Sequence, residues 1–141
     1  MRINAFSDVC LRVVMLLAAS PEGALMTSRA ISEAIDTPYN HVSKAVLRLR
    51  ELGLVEVTRG RSGGVRISEG GRRASIGWLL RQLDTRLDLA ACVTADGPCP
   101  LLDGCGVRCA LRRARETFYT ELDSVVIAAQ PHAQPQTRVF Y

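Results

Sequence analysis

Four of the five cysteines in this chain lie in one short segment, at Cys92, Cys99, Cys105 and Cys109. Glycine and proline interrupt the segment, ACVTADGPCPLLDGCGVRCA, and give the bent backbone of a loop that presents thiolates. Its spacing, Cys-x6-Cys-x5-Cys-x3-Cys, lacks the Cys-x2-Cys pairs on which structural zinc sites are usually built. An iron–sulfur cluster is bulkier and tolerates such spacing, so it is the preferred interpretation. Zinc, redox-active thiols and buried structural cysteines stay open as alternatives.

The composition is that of an ordinary globular protein. Of its 141 residues 48% are hydrophobic and 23% charged, which argues against wholesale disorder. The net charge of +4 suits a polyanionic partner without requiring one. No apolar run approaches the roughly 20 residues that a membrane-spanning helix needs. The odd number of cysteines argues against a framework of disulfides.

The first element is predicted to be an amphipathic core helix. Its apolar residues recur at helical spacing: Phe6, Val9, Val13, Leu16 and Leu17. This stripe favours a core helix over a signal peptide, so a cytoplasmic location is expected. Cys10 falls on the buried side of the helix, where a free cysteine behaves as a small hydrophobic residue.

Two shorter helices follow, in the order of a helix-turn-helix motif. Thr27 or Ser28 is predicted to cap the first of them. Thr37 can cap the second, with Pro38 in its first position. The pattern YNHVSKAVLRLREL ends at Gly53, a typical residue after a helix C-terminus.

A glycine-rich hairpin and two further helices complete the predicted architecture. Residues 54–58 and 65–68 alternate as half-buried strands around the turn RGRSGG. Residues 71–84 read as one helix and residues 109–129 as a long amphipathic helix. The apolar face of the long helix is predicted to comprise Leu111, Ala114, Phe118, Leu122 and Val125. The fold is therefore expected to be mainly α with a small β-hairpin wing. The predicted units are a winged-helix domain (1–84), a cluster-binding loop (85–109), a dimerisation helix (110–128) and a flexible tail (129–141).

The winged-helix order predicts binding to double-stranded DNA. Asn40 can pair with an adenine edge, and Lys44 can reach guanine or phosphate. Arg59 and Arg61 lie in the glycine-rich wing turn and suit phosphates or the minor groove. The full set of candidate DNA-binding residues is Ser28, Tyr39, Asn40, His41, Ser43, Lys44, Arg48, Arg59 and Arg61.

Taken together, these stretches resemble one family. FSDVCLRVVMLLA, PYNHVSKAVLRLRELGLVE, RGRSGGVRI and the cysteine spacing are similar to the BadM/Rrf-type winged-helix regulators, in particular to their nitric-oxide-sensing repressors. The likeness runs from residue 1 to about residue 125. It implies a homodimer crossed by its long C-terminal helices, with a cluster-binding loop between that helix and the wing domain.

The resemblance also implies a set of metal ligands. The three cluster cysteines of the family fall on Cys92, Cys99 and Cys105, and the fourth ligand resembles Asp8, contributed by the partner subunit. A sister group that regulates cluster assembly has a histidine three residues after the third cysteine, where this chain has Arg108. Cys109 departs from both patterns. Because it lies four residues after Cys105 on a predicted helix, it competes with Asp8 as fourth ligand.

The function implied is a dimeric repressor that holds an iron–sulfur cluster, expected to be 4Fe-4S, and leaves a palindromic operator when nitric oxide attacks the cluster. A redox- or iron-sensing regulator of the same family with a 2Fe-2S cluster is the alternative. A small iron–sulfur electron carrier, the alternative of a different class, would need no DNA-reading helix. The sequence shows no nucleophile–base pair and no phosphate-binding loop, so an enzyme is not expected.

Overall fold

The computed structural model describes residues 3–84, 101 and 104–131. Its helices are α1 (Ala5–Ala19), α2 (Ser28–Ala34), α3 (Tyr39–Glu51), α4 (Glu69–Arg73), α5 (Ile76–Leu83) and α6 (Gly106–Asp123), followed by a 3-10 turn (Ile127–Ala129). The strands β1 (Val55–Thr58) and β2 (Gly64–Ile67) form one antiparallel hairpin. The expected fold, mainly helical with a small β-hairpin, is confirmed. None of the helices in these ranges is long and apolar enough to cross a membrane.

Helix α1 lies at the centre of the core. The Asn4 side chain accepts a hydrogen bond from the Ser7 backbone N–H at 2.7 Å and so caps the first turn. The buried face of the helix comprises Ser7, Val9, Cys10, Val13, Val14 and Leu17. Phe6, predicted to lie on that face, is 37% exposed. The buried stripe is therefore rotated from the expected one, towards Cys10 and Val14.

The helix-turn-helix motif consists of α2 and α3. The Thr27 hydroxyl accepts from the Ala30 N–H at 3.1 Å, which identifies Thr27 as the N-cap of α2. The predicted cap at Thr37 is wrong, because its hydroxyl donates instead to the Ile35 carbonyl and α3 begins after Pro38 without a side-chain cap. Gly53, with φ of +74°, ends α3 as expected.

The pairing of the two wing strands defines the turn between them. Val55 pairs with Ile67 and Thr58 with Gly64, which leaves residues 59–63 as the turn. The side chains of Val65 and Ile67 point into the core. A backbone bridge between Met26 and Val65 joins the hairpin to the segment before α2. The wing is therefore anchored at its base, while its tip extends into solvent.

Residues 71–84 do not form the single helix that their pattern predicted. The chain breaks at Ala74, which has extended backbone angles, and Ser75 caps α5 by accepting from the Trp78 N–H at 3.1 Å. Backbone hydrogen bonds to residues after α6 stabilise this break. The Ile127 N–H donates to the Ala74 carbonyl at 3.0 Å, and the Ile76 N–H donates to the Val125 carbonyl at 2.9 Å.

The long helix also differs from its predicted bounds. It begins at Gly106 and ends at Asp123, so residues 106–108, predicted as part of the loop, are helical, whereas residues 124–129, predicted as helical, lie beyond α6. Beyond α6 the chain returns to the winged-helix part of the molecule, where Ile127 is 1% exposed within the main core. Most of the predicted loop and the tail after Pro131 lie outside the described residues.

Gly77 allows α5 and α6 to pack closely. A Cβ built at this position would lie 2.6 Å from the Asp123 backbone nitrogen and closer still to the Tyr119 carbonyl oxygen. We expect Gly77→Ala to lower the free energy of unfolding by about 1–3 kcal/mol, because backbone atoms cannot move aside as a flexible side chain can. The measurement is denaturant unfolding of the full chain. Gly106→Ala is the matched control, since nothing lies within 4 Å of its added Cβ; equal losses in the two variants would contradict this account.

Candidate nucleic-acid interface and cysteine site

Helix α3 presents a polar face opposite its buried one. Its buried side chains are Val42, Ala45, Val46 and Leu49. Asn40 and Lys44 lie four residues apart on the opposite side and are both exposed, as are Tyr39 and His41. The Arg29 guanidinium of α2 lies 5.5 Å from the centre of the Tyr39 ring, which holds the aromatic side chain at the start of α3.

Three other predicted DNA contacts are partly buried or bonded to other parts of the protein. Ser28 is half-buried in the first turn of α2. The Ser43 hydroxyl oxygen is buried and has no hydrogen-bond partner among the residues that the structure describes. Arg48 pairs with Glu51 at 3.2 Å and donates to the Gln82 carbonyl of α5 at 3.3 Å. Its guanidinium is therefore directed towards other parts of the protein rather than along the exposed face of α3.

The wing turn carries two exposed arginines. Arg59 and Arg61 are exposed, and within residues 3–84, 101 and 104–131 neither forms an ion pair. Gly60 has φ of +105°, a left-handed conformation that favours glycine. By contrast Arg66, on β2, is neutralised by Glu56 on β1 at 2.7 Å. Positive charge is thus concentrated at the tip of the wing.

Asp8 lies on the outward side of α1. Its carboxylate pairs with Arg12 at 2.9 Å, and both side chains are about half exposed (50% and 51%). An exposed pair of this kind contributes at most about 1 kcal/mol. The carboxylate is therefore held only weakly and could exchange Arg12 for another cation at little cost.

Cys10, two residues further along α1, is fully buried. Burial raises the pKa of its thiol to about 12, and the nearby Arg48 charge opposes that rise. A thiol that stays protonated within the core is a poor metal ligand. Cys10 therefore belongs to the core, as the sequence predicted.

Cys105 and Cys109 lie at the start of α6. Cys105 is the N-cap residue, and its carbonyl accepts from the Cys109 N–H at 3.3 Å. Cys105 is half-buried and Cys109 is exposed. Two thiols one helical turn apart can face the same space. Cys92 and Cys99 fall outside the described residues, and the described part of the chain brings together no group of three metal-ligating side chains.

A polar cluster that sequence reasoning missed joins α5 to α6. The Asp84 carboxylate, immediately after α5, accepts hydrogen bonds from the Tyr119 hydroxyl and from Arg115, the latter at 3.1 Å. Arg81 pairs with Glu116 and Asp123 on α6, and its guanidinium lies 4.8 Å from the centre of the Tyr119 ring. Burial and the hydrogen bond to Asp84 raise the pKa of Tyr119.

Little in the sequence indicates this cluster. Arg115 and Tyr119 are visibly four residues apart on one helix. Their partner Asp84, however, lies 31 and 35 positions earlier in the chain, and helical periodicity carries no information about such a pairing.

Comparison with known proteins assigns the chain to a family. The profile described as "Rrf2: Iron-dependent Transcriptional regulator" matches residues 3–129. The chain is 42% identical over 128 residues to the HTH-type transcriptional repressor NsrR of Streptomyces coelicolor, covering 90% of this chain and 86% of that protein. It is 33% identical over 129 residues to the HTH-type transcriptional regulator NsrR of Geobacillus kaustophilus, covering 91% and 88%.

Solved structures share the fold. CymR (YrzC), the global cysteine regulator of B. subtilis, superposes with a TM-score of 0.69 at 22% identity, covering 90% of this chain and 93% of that one. T. potens IscR superposes with a TM-score of 0.68 at 17% identity, covering 91% and 84%. The two relatives named NsrR are transcriptional regulators, which agrees with the interpretation that the protein is not an enzyme. The chain therefore belongs to the Rrf2 family of transcriptional regulators.

Proposed function

We propose that this protein is a cytoplasmic, dimeric repressor that binds a palindromic operator while it holds an iron–sulfur cluster, and releases the operator when nitric oxide reacts with the cluster. The observation that carries the proposal is the placement of Cys105 at the start of α6 together with an outward, weakly held carboxylate at Asp8. The 42% identity to a protein named as an NsrR repressor gives independent support.

The donor set fits an iron–sulfur cluster. The proposed ligands are Cys92, Cys99 and Cys105 of one chain and Asp8 of the partner subunit, with Cys109 as the alternative to the carboxylate. Thiolates are the usual cluster ligands. Cys105 is accessible rather than sealed in the core, and Asp8 faces outward from α1, the direction from which a second chain can approach.

A carboxylate ligand has a chemical consequence. Because carboxylate oxygen is a harder ligand than thiolate, a 4Fe-4S cluster so bound would have one labile iron that nitric oxide can attack. Asp8 pairs with Arg12 at 2.9 Å, so an iron atom that binds this carboxylate would have to compete with the Arg12 guanidinium.

The homodimer is proposed to form through α6. Only Tyr119 is buried along this helix, whereas Leu111, Phe118 and Leu122 are half-buried and Ala114 is exposed. An apolar stripe of this size on an 18-residue helix suits packing against a second copy. A dimer whose recognition helices lie about 34 Å apart, or a multiple of that, would meet successive major grooves of a two-fold operator.

An electron carrier is the less favoured function. Docking to a redox partner requires neither a helix-turn-helix nor a wing whose tip exposes two arginines. The exposed Asn40 and Lys44, together with Arg59 and Arg61, favour DNA. Redox or iron sensing through a 2Fe-2S cluster remains the alternative within the family, and the experiment below distinguishes it.

The signal is tested with anaerobically prepared, cluster-loaded protein. Iron and sulfide analysis is expected to give close to four of each per chain, and a few equivalents of nitric oxide without oxygen should abolish operator binding in a gel shift. Sizing of the same sample should still show a dimer, because α6 does not depend on iron. Undiminished binding after complete loss of the cluster absorption would overturn the nitric-oxide switch and favour the 2Fe-2S alternative.

The ligands are tested one at a time. Replacing Cys92, Cys99 or Cys105 with Ala should abolish the cluster absorption, because each removes a thiolate. Asp8→Ala should leave a cluster that is bound more weakly or reacts differently with nitric oxide. Cys10→Ala is the matched control and should retain the cluster, because Cys10 is buried in the core. Loss of the cluster in Cys109→Ala, with an unaffected Asp8→Ala, would show that Cys109 is the fourth ligand.

The DNA contacts are tested by salt dependence. Arg59→Ala or Arg61→Ala should weaken binding to all sequences alike and reduce the salt slope by about one unit for each lost phosphate contact. Asn40→Ala should instead relax sequence preference, at a cost of about 1–3 kcal/mol for a bidentate base contact. Arg66→Ala is the matched wing control, since Arg66 is already paired with Glu56. An unchanged salt slope in both tip variants would refute this division of roles.

A further inference from the structure

Arg48 joins the recognition helix to the end of α5. It lies in the last turn of α3, and its guanidinium donates to the Gln82 carbonyl at 3.3 Å while pairing with Glu51 at 3.2 Å. We propose that Arg48 is a positioning residue that conveys the state of the cysteine site to the recognition helix, rather than a DNA contact. This inference rests on the proposed function.

The end of α5 needs such a donor. The last carbonyls of a helix have no partners within it and carry partial negative charge. In α5 the Leu80 carbonyl is satisfied by the Asp84 N–H at 2.8 Å. The Gln82 carbonyl, by contrast, is satisfied by Arg48 from another helix. A cation at a helix C-terminus is favourable, so the contact has both a hydrogen-bonding and an electrostatic basis.

The same turn of α5 is joined to α6. Asp84 accepts from Tyr119 and Arg115 of α6, and the side chains of Asp84 and Arg115 are only 22% and 19% exposed. Cys105, a proposed ligand, is the N-cap residue of α6. Arg48 and Asp84 thus hold the end of α5 from two sides, one facing the recognition helix and the other the helix that starts at the cysteine site.

Helix α3, which carries Arg48, also packs against α1. Cys10, Val13 and Val14 of α1 are buried in one core with the inward side chains of α3. A displacement of α6 at the cysteine site would change the surroundings of Asp84 and, through the end of α5 and Arg48, the position of the last turn of α3.

The test compares operator affinity in two states of each variant. For cluster-loaded and cluster-free protein, the ratio of the two dissociation constants measures how strongly the cluster controls DNA binding. We expect a ratio of at least tenfold in the unmodified protein. Arg48→Met, similar in length but without donors or charge, should lower the ratio at least fivefold while the cluster absorption and iron content stay unchanged. Arg48→Lys, which can still donate to Gln82, should restore much of it.

Arg50→Met is the matched control. Arg50 lies on the same helix and carries the same charge, yet it is exposed and makes no side-chain hydrogen bond or ion pair among the described residues. Its ratio should stay within twofold of the unmodified protein. If Arg48→Met keeps the full ratio, or weakens both states by the same factor as a lost phosphate contact would, the proposal is overturned. A ratio of one in the unmodified protein would instead contradict the proposed function.

A second measurement needs no variant. Amide hydrogen exchange in the unmodified protein should change on cluster removal both at the end of α5 and in the last turn of α3, since Arg48 joins the two. Change at the cysteine site and α5 with none at the end of α3 would overturn the proposal, whatever the stability of Arg48→Met.

Discussion

The packing of α1 against α3 is the contact on which the rest of the molecule depends. Cys10, Val13 and Val14 on α1 and the inward side chains of α3 are buried together in one core. Because residues two apart on a helix point in nearly opposite directions, burying Cys10 turns Asp8 outward. The same geometry turns Asn40 and Lys44 of α3 towards solvent. One apolar contact thus orients both the candidate iron ligand and the candidate DNA-reading face.

Local chemistry explains what the sequence could predict. Helical periodicity, the cap at Thr27 and the stop at Gly53 identify the helix-turn-helix, because each feature depends on residues within a few positions of one another. The wing follows from alternation around a glycine-rich turn. At the candidate site, Cys10 could be placed in the core from its position on α1, and the outward positions of Arg59 and Arg61 from their place in the turn.

The features that the sequence could not predict depend on contacts between residues far apart in the chain. Residues 71–84 have a helical pattern, yet the chain breaks at Ala74 because backbone groups at Val125 and Ile127 bond there. Arg48 looked like a DNA contact from its helix, while its carbonyl partner lies 34 positions away. The ligand set is a further such case. Cys105 and Asp8 are placed by their helices, whereas the meeting of all four ligands across two chains stays a prediction.

The return of the chain after α6 has a consequence for assembly. The Ile127 backbone N–H donates a hydrogen bond to the Ala74 carbonyl at 3.0 Å, and Ile127 is 1% exposed within the core. The C-terminal end of α6 is consequently anchored to the winged-helix part of its own chain. Domain swapping of this helix would require Ile127 to be pulled from that core. In the proposed homodimer, two folded subunits would therefore associate at a rate set by protein concentration rather than by unfolding.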